Sequence, residues 1–213
     1  MIKINIHDKS FKQKTIFHET SITISNNEFL ALKGESGIGK TTLLSMIGMT
    51  ESFVGDYYVD DILINKKNRE SMLINLFSYM FQKPMLIPYL TVKENILLPL
   101  KNLKAPLDEA EYQKVITILK IADLENRTIV NLSGGEANRV SLARAMMSGR
   151  KILLADEPTG SLDHDNAVHV MNSLKDLQTK YGYTIILVTH SNEFDHFYNR
   201  ILTINDHQIV EKQ

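Results

Sequence analysis

The sequence predicts an α/β fold with a mostly parallel sheet, an antiparallel β subdomain at the N-terminus and an inserted α-helical subdomain. Two apolar runs at 151–156 and 184–189 flank a helical stretch at 164–180, and such a crossover joins parallel strands. Isoleucines alternate with polar residues near the N-terminus, a pattern typical of antiparallel strands. From 92 to 149 the pattern is mostly helical and interrupts the strand-rich remainder.

The first strands are predicted from the spacing of apolar residues. The alternation predicts short strands that each bury one face. The alternating positions are Ile2, Ile4, Ile6, Ile16, Ile22 and Ile24. The run FLALK at Phe29–Lys33 is apolar and ends at a glycine, which predicts a buried strand. A helix is expected to follow at 41–49.

Turn residues place the next two elements. The stretch 55–65 predicts a hairpin with Asp60 and Asp61 in its turn. The run LFSYMFQ at 76–82 predicts a core strand. We expect this strand to end before Pro84, because proline donates no backbone hydrogen bond.

Caps and turns also place the later elements. The amphipathic stretch 107–122 predicts a helix with Asp108 as its N-cap. Two short runs at 200–205 and 208–211 predict a closing hairpin.

The composition indicates a folded domain in a reducing compartment. Of 213 residues, 43% are hydrophobic and 23% charged, which is enough apolar material for one large core or two fused subdomains. The chain lacks the roughly 18 consecutive apolar residues of a membrane-spanning helix, and its charged N-terminus disfavours a signal peptide. It contains no cysteine, and its net charge of -1 disfavours a nucleic-acid partner.

A glycine-rich loop follows the strand predicted at Phe29–Lys33. Its sequence, GESGIGKTT, fits the pattern G-x-x-x-x-G-K-[ST], in which backbone N–H groups bind phosphate at a helix N-terminus. Lys40 is expected to reach the β- and γ-phosphates, and the Thr41 hydroxyl to bind Mg²⁺. The nucleotide-binding residues expected here are Gly34, Glu35, Ser36, Gly37, Ile38, Gly39, Lys40, Thr41 and Thr42. An ordinary glycine turn before a surface lysine is the alternative.

Two carboxylates follow another apolar run. In ILLADE, four apolar residues precede Asp156 and Glu157, so a buried strand delivers both acids to the edge of the sheet. Asp156 is suited to hold Mg²⁺ through water, and Glu157 to orient or deprotonate an attacking water. An acidic strand end that only caps the next helix is the alternative.

A third motif, LSGGE, lies too far along the chain to touch the same phosphates easily. The run LSGGEANRVSLARAM, which begins at Leu132, resembles the signature loop and helix of ATP-binding cassette (ABC) transporters, and the resemblance extends over essentially the whole chain. It implies a single ABC ATPase domain over 1–213 with a P-loop NTPase core. Residues 1–91 and 150–213 would form a RecA-like core with the antiparallel β subdomain, and residues 92–149 the helical signature subdomain.

The resemblance implies that the signature contacts a γ-phosphate bound by a second copy of the chain. A serine hydroxyl, backbone N–H groups and the helix dipole suit this contact, although a serine cap with a glycine turn is the alternative. The residues concerned are Ser133, Gly134, Gly135 and Glu136.

The resemblance also implies roles for isolated residues. Gln82 matches the glutamine loop that touches Mg²⁺ and the attacking water, and His190 matches the switch histidine that contacts the γ-phosphate. With Glu157 and Lys40 they form the expected catalytic set, and the expected metal ligands are Thr41, Gln82 and Asp156.

Two further assignments stay open. Ser161, Leu162 and Asp163 match the loop that crosses the dimer interface, while Asp163 is also a candidate helix cap. Phe11 is the preferred residue for stacking on adenine, but Phe17 is an alternative, and either ring could belong to the core.

The apolar stretch MLIPYL at 85–90 lies where the family receives a coupling helix of the membrane subunit. It predicts either an exposed protein interface or part of the subdomain core.

The resemblance therefore implies an ATP-hydrolysing subunit that dimerises around two ATP with Mg²⁺ and drives a separate transmembrane permease at the cytoplasmic face of the cell membrane. EPTGSLD at 157–163 and TVKENILLPL at 91–100 look most like the branch of macrolide, lipoprotein and antimicrobial-peptide exporters. Ala137 and Asn138 depart from the glutamine-rich residues common after LSGGE. An ATP-driven mechanical or signalling adaptor of a membrane protein, without solute transport, is the alternative.

Overall fold

The computed structural model describes residues 1–12, 14–160 and 162–212. Its strands are β1 (Ile2–Phe11), β2 (Lys14–Ile24), β3 (Phe29–Lys33), β4 (Val54–Val59), β5 (Ile62–Leu63), β6 (Phe77–Met80), β7 (Ile152–Asp156), β8 (Thr184–Val188), β9 (Arg200–Asn205) and β10 (Gln208–Glu211). Its helices are α1 (Lys40–Ile47), α2 (Arg69–Leu76), α3 (Val92–Ile96), α4 (Leu98–Leu103), α5 (Glu109–Ile118), α6 (Gly134–Met146) and α7 (His164–Tyr181). Across these described ranges, every helix is too short or too polar to cross a membrane.

The larger sheet has six strands in the order β10-β9-β3-β8-β7-β6. β3 lies between β8 and β9 and is parallel to both, and β7 and β6 continue the parallel arrangement beyond β8. Only the pairing of β10 with β9 is antiparallel in this sheet as described. The predicted α/β fold with a mostly parallel sheet is therefore confirmed.

The smaller sheet is antiparallel and has the order β2-β1-β4-β5. β1 and β2 have 10 and 11 residues, longer than the short strands predicted. Their pairing shifts register between Lys9 and Ser10, and such a bulge lets a strand continue while changing the direction of its side chains. Asp60 and Asp61 form the predicted turn, with φ of 45° and 64°.

One predicted helix cap is present in the structure, and one helix of the structure was not predicted. The Asp108 carboxylate accepts a hydrogen bond from the Glu111 N–H at 3.1 Å and caps α5 as predicted. Helix α2 was not predicted, because none of its side chains is fully buried and its sequence has no clear apolar face. As a result β6 begins at Phe77 rather than Leu76, and it ends at Met80, ahead of Pro84.

Apolar side chains cover both faces of the six-stranded sheet. Phe29 and Ile185 face a cluster shared with α3, α5, α6 and α7, whereas Leu30 and Ile186 face α1 and the smaller sheet. The helices from 92 to 149 pack directly on the sheet through the first cluster. The division of the chain at 91 and 150 remains a prediction.

Candidate functional site

The site lies where parallel strands of the larger sheet end together. The residues that directly follow β3, β7 and β8 are Gly34, Glu157 and Thr189, and carboxyl ends of parallel strands are where α/β sheets bind ligands. A cavity of about 550 Å³ opens at this edge. Its lining residues are Phe11, Ile16, Ser36, Gly37, Gly39, Lys40, Thr41, Thr42, Glu157, Val188 and His190.

The phosphate loop owes its shape to glycine and to packing against the smaller sheet. Gly39 has a φ of 118°, and a Cβ there would lie 2.7 Å from a methyl group of Ile16. A larger residue would therefore be strained and would collide with β2. The other predicted loop residues, Gly34, Glu35 and Ile38, belong to the loop but are not among the described residues that line the cavity.

Lys40 begins α1 and folds over the loop. Its ammonium donates hydrogen bonds to the carbonyls of Gly34 at 2.8 Å and Glu35 at 2.7 Å. The residue is only 7% exposed, yet it lines the cavity. A phosphate bound in the loop would thus compete with two carbonyl oxygens for this cation.

Glu157 contacts two of the other predicted catalytic residues. One carboxylate oxygen lies 3.0 Å from His190 Nδ1, and the other accepts a hydrogen bond from Gln82 Nε2 at 3.4 Å. Its backbone has a φ of 44°, a conformation that costs free energy for a non-glycine residue and is common at functional sites. The Glu157 side chain is 24% exposed, so water can reach it.

Asp156 ends β7 beside the first turn of α1. Burial and the neighbouring charge of Glu157 raise the pKa of the Asp156 carboxyl, while a hydrogen bond with Thr41 and the charge of Lys40 oppose that rise. A hydroxyl and a carboxylate are therefore placed together at the loop. Both are hard oxygen donors of the kind that Mg²⁺ prefers.

The signature motif begins helix α6. The Ser133 hydroxyl accepts a hydrogen bond from the Glu136 N–H at 3.2 Å, and the Glu136 carboxylate accepts one from the Ser133 N–H at 2.7 Å. These bonds form a capping box, and they hold the pKa of Glu136 below its usual value. Ser133 and Gly134 are exposed and are not among the described residues that line the cavity of the phosphate loop.

The first turn of α6 packs closely against the first turn of α7. A Cβ on Gly135 would lie 2.6 Å from the side chain of Asn166, so only glycine allows this approach. Asn166 donates its N–H and its side-chain amide to the Asp163 carboxylate, at 2.9 Å and 2.7 Å. Asp163 therefore caps α7, and its pKa is lowered by these bonds. Ser161 lies outside the described residues.

The two candidate phenylalanines have different surroundings. Phe11 is 45% exposed and lines the cavity, and the Lys9 ammonium lies 4.2 Å from the centre of its ring. Phe17 is fully buried in the core beside Gly39. Of the two rings, that of Phe11 lines the cavity and that of Phe17 does not.

The apolar stretch at 85–90 is partly exposed, as an interface would be, and partly buried in the core. Met85 and Tyr89 are 64% and 82% exposed, whereas Leu86 is buried in the core. Phe81, next to Gln82, is 45% exposed. Exposed apolar side chains therefore occur on both sides of Gln82 in the sequence.

Two buried lysines at the site were not singled out from the sequence. Lys9 is the last residue of β1 before its register shift, and its ammonium faces the ring of Phe11. Lys33 is the last residue of β3, immediately before the phosphate loop. Lys33 is a charged residue at the end of the strand predicted at Phe29–Lys33, whereas Lys9 lies beyond the alternating isoleucines that predicted the first strand. Their partners lie on distant segments.

Comparison with known proteins agrees with this geometry. The sequence profile of the ABC transporter family matches residues 17–160. The macrolide export ATP-binding/permease protein MacB 2 of Aeromonas hydrophila is 34% identical over 206 residues, which cover 94% of this chain and 32% of the relative. The chain thus spans about a third of the MacB relatives that it matches.

A second relative has nearly the same length as this chain. The ABC transporter ATP-binding protein MJ0796 of Methanocaldococcus jannaschii is 34% identical, over 100% of this chain and 97% of the relative. A dimeric structure of MJ0796 in a post-hydrolysis state, bound to ADP and Pi, matches with a TM-score of 0.85 at 30% identity, over 100% of this chain and 98% of the other. This chain thus carries a phosphate loop, an acidic strand end and a signature helix together. It belongs to the ABC transporter family and is one of its ATP-binding cassettes, which are ATPases.

Proposed function

We propose that two copies of this chain close around two ATP molecules and that hydrolysis of this ATP drives a separate transmembrane permease. Each nucleotide is bound between Lys40 of one copy and Ser133 of the other. The observation that carries the proposal is the separation of the two half-sites. Glu157, Gln82 and His190 meet beside the phosphate loop, whereas Ser133 lies outside the cavity that this loop lines.

Glu157 acts as the general base in this proposal. Its carboxylate takes a proton from the water that attacks the γ-phosphorus, while the bond from this phosphorus to the bridging oxygen breaks and ADP leaves. Gln82 and His190 each contact one of its oxygens and so orient it. Lys40 exchanges the carbonyls of Gly34 and Glu35 for phosphate oxygens, which holds the transferred group in line.

The signature of the second copy completes the pocket. Gly134 at the start of α6 is exposed and has open space beside its backbone, and the positive end of the helix dipole favours a phosphate there. The capping box fixes the Ser133 backbone in this orientation. We expect Gly134, Gly135 and Glu136 to shape the contact, and Asp163 to connect the two pockets across the interface.

The residues present fit a magnesium ion. Thr41 is close enough to Asp156 to influence its carboxyl, and the Gln82 amide donates a hydrogen bond to the neighbouring Glu157. The described residues contain no group of three or more His, Cys, Asp or Glu that could hold a metal, so most ligands would come from phosphates and water. When bound, Mg²⁺ neutralises charge on the phosphates.

An exposed apolar surface supports the permease as partner. Phe81, Met85 and Tyr89 are exposed and lie near Gln82 in the sequence, and aromatic and Met residues are enriched at protein interfaces. We propose that the permease docks here, at the cytoplasmic face of the membrane. The MacB relatives are named as macrolide export proteins, which favours an exporter of a drug, peptide or lipoprotein.

The variant Glu157→Gln tests the composite site. The amide keeps the shape of the side chain but does not accept the proton, so we expect ATP hydrolysis to fall by about 10²–10⁴-fold. ATP should still bind, and size-exclusion chromatography with light scattering should show an ATP-dependent dimer. Glu70→Gln, on the exposed side of α2, is the matched control and should behave as the wild type.

A monomeric Glu157→Gln protein that binds ATP without dimerising contradicts the composite site, as does hydrolysis at the wild-type rate. Purification from membranes with the partner attached tests the second half of the proposal. Stimulation of ATP hydrolysis by a transported compound then separates an exporter from an adaptor that moves no solute.

A further inference from the structure

Lys33 is a buried charge at a critical position in the chain. It is the last residue of β3, directly before Gly34 of the phosphate loop, and it is 4% exposed. Burying an ammonium costs free energy unless other groups pair with it. Its partners therefore show what this cation holds in place.

The partners of Lys33 all lie on the segment that follows His190. The ammonium donates hydrogen bonds to the Ser191 carbonyl at 2.6 Å and to the Asn192 side-chain oxygen at 3.1 Å. It also pairs with the Asp195 carboxylate. One side chain thus ties the strand before the phosphate loop to the segment 191–195.

The placement of His190 depends on this segment. The His190 side chain is 67% exposed, so packing against neighbours does little to fix its ring. On the strand side, the Thr189 N–H donates to the Leu32 carbonyl at 3.2 Å. Lys33 secures the other side, because the carbonyl that it binds belongs to the next residue after His190.

We propose that Lys33 is a positioning residue that keeps the His190 ring against the Glu157 carboxylate. The proposal rests on the proposed function of Glu157 and His190 in ATP hydrolysis. Lys33 itself does not line the cavity, so it acts through the backbone of 191–195. Its loss should lower kcat much more than it changes KM.

The chain offers a matched control. Lys212 also pairs with Asp195, at 3.6 Å, but its side chain is 45% exposed. Lys212→Met removes a positive charge from the same carboxylate without touching Ser191. It should therefore leave kcat unchanged, whereas Lys33→Met should not.

The decisive experiment is a double-mutant cycle with His190→Ala. Lys33→Met should lower kcat by roughly tenfold to a hundredfold in the wild-type background, the range expected for a misplaced catalytic group. In the His190→Ala background it should change kcat by less than about twofold, because two effects exerted through one group do not add. The double variant Lys33→Met/Asp195→Asn removes both charges and repeats the test if the single variant folds poorly.

Hydrogen exchange gives a readout that does not depend on ATP hydrolysis. The amides of 191–195 should exchange faster in Lys33→Met, whereas those of β7 should not. A wild-type kcat, the same loss in both backgrounds, or unchanged exchange at 191–195 would overturn the role of Lys33. If the wild-type protein does not hydrolyse ATP, the proposed function fails, and the exchange measurement still decides whether Lys33 holds the segment.

Discussion

At the scale of single residues, Phe11 shows how burial decides between two interpretations. Its ring is half exposed at the cavity, with the Lys9 ammonium on it, and Lys9 is held by the Glu51 carboxylate at 2.6 Å. Stacking a base on an aromatic ring contributes about 1–3 kcal/mol. The proposal that adenine stacks on Phe11 rests on this exposed ring and on the cation that supports it.

Phe11→Ala should weaken ATP binding by about tenfold, since loss of stacking costs about 1.4 kcal/mol or more. Isothermal titration calorimetry with the Glu157→Gln protein measures the affinity without hydrolysis. Phe11→Tyr keeps the ring and should bind ATP as the parent protein does. Val54→Ala removes another exposed apolar side chain, on β4, and is the control; equal affinities for Phe11→Ala and its parent contradict the role of Phe11.

The candidate site could be proposed from the sequence because each motif is a short run with its own chemistry. The phosphate loop, Asp156–Glu157 and LSGGE needed no information on distant contacts. Lys33 did need it, since its partners Ser191 and Asp195 are far along the chain. A strand that ends in lysine gives no indication of which segment the ammonium will reach.

At the scale of elements, the Asp108 cap offers a simple measurement. Its carboxylate satisfies the Glu111 N–H at the exposed start of α5. Asp108→Ala should lower the free energy of unfolding by about 1 kcal/mol, as measured by urea denaturation. Asp108→Asn retains the acceptor and should match the wild type; a full loss in the asparagine variant would show that capping is not the cause.

Strands and helices were predictable where a single pattern of apolar residues runs through the segment. β3 and β8 are completely buried, so their apolar runs identified them. The ends of β1 and β2 were not predictable, because the register shift at Lys9 and Ser10 interrupts the alternation. Helix α2 could not be predicted because none of its side chains is fully buried, so its sequence shows no periodic pattern of apolar residues.

At the scale of the whole molecule, the order of strands makes the phosphate loop depend on the end of the chain. β3 carries the loop, and its two neighbours are β8 and β9. Contacts between distant segments form slowly, since closing a long loop costs entropy first. The loop therefore has its full support only when Thr184–Val188 and Arg200–Asn205 are in place.

A chain that ends at Tyr181 lacks both neighbours of β3 and should show no cooperative urea transition by circular dichroism. A chain that ends at Asp206 lacks only the edge strand β10 and should still unfold cooperatively at a lower urea concentration. A cooperative transition in the shorter protein would show that β3 does not need these strands. The strand order itself could not be predicted, because apolar runs do not specify which strands become neighbours.

This order has a consequence for synthesis on the ribosome. The phosphate loop emerges early, but β3 remains without a partner until β8 and β9 have been translated. At about 5–20 residues per second, roughly 10–30 seconds pass between translation of the loop and translation of the end of β9. A translation product that stops before β8 therefore carries a phosphate loop whose strand has neither of its two neighbours.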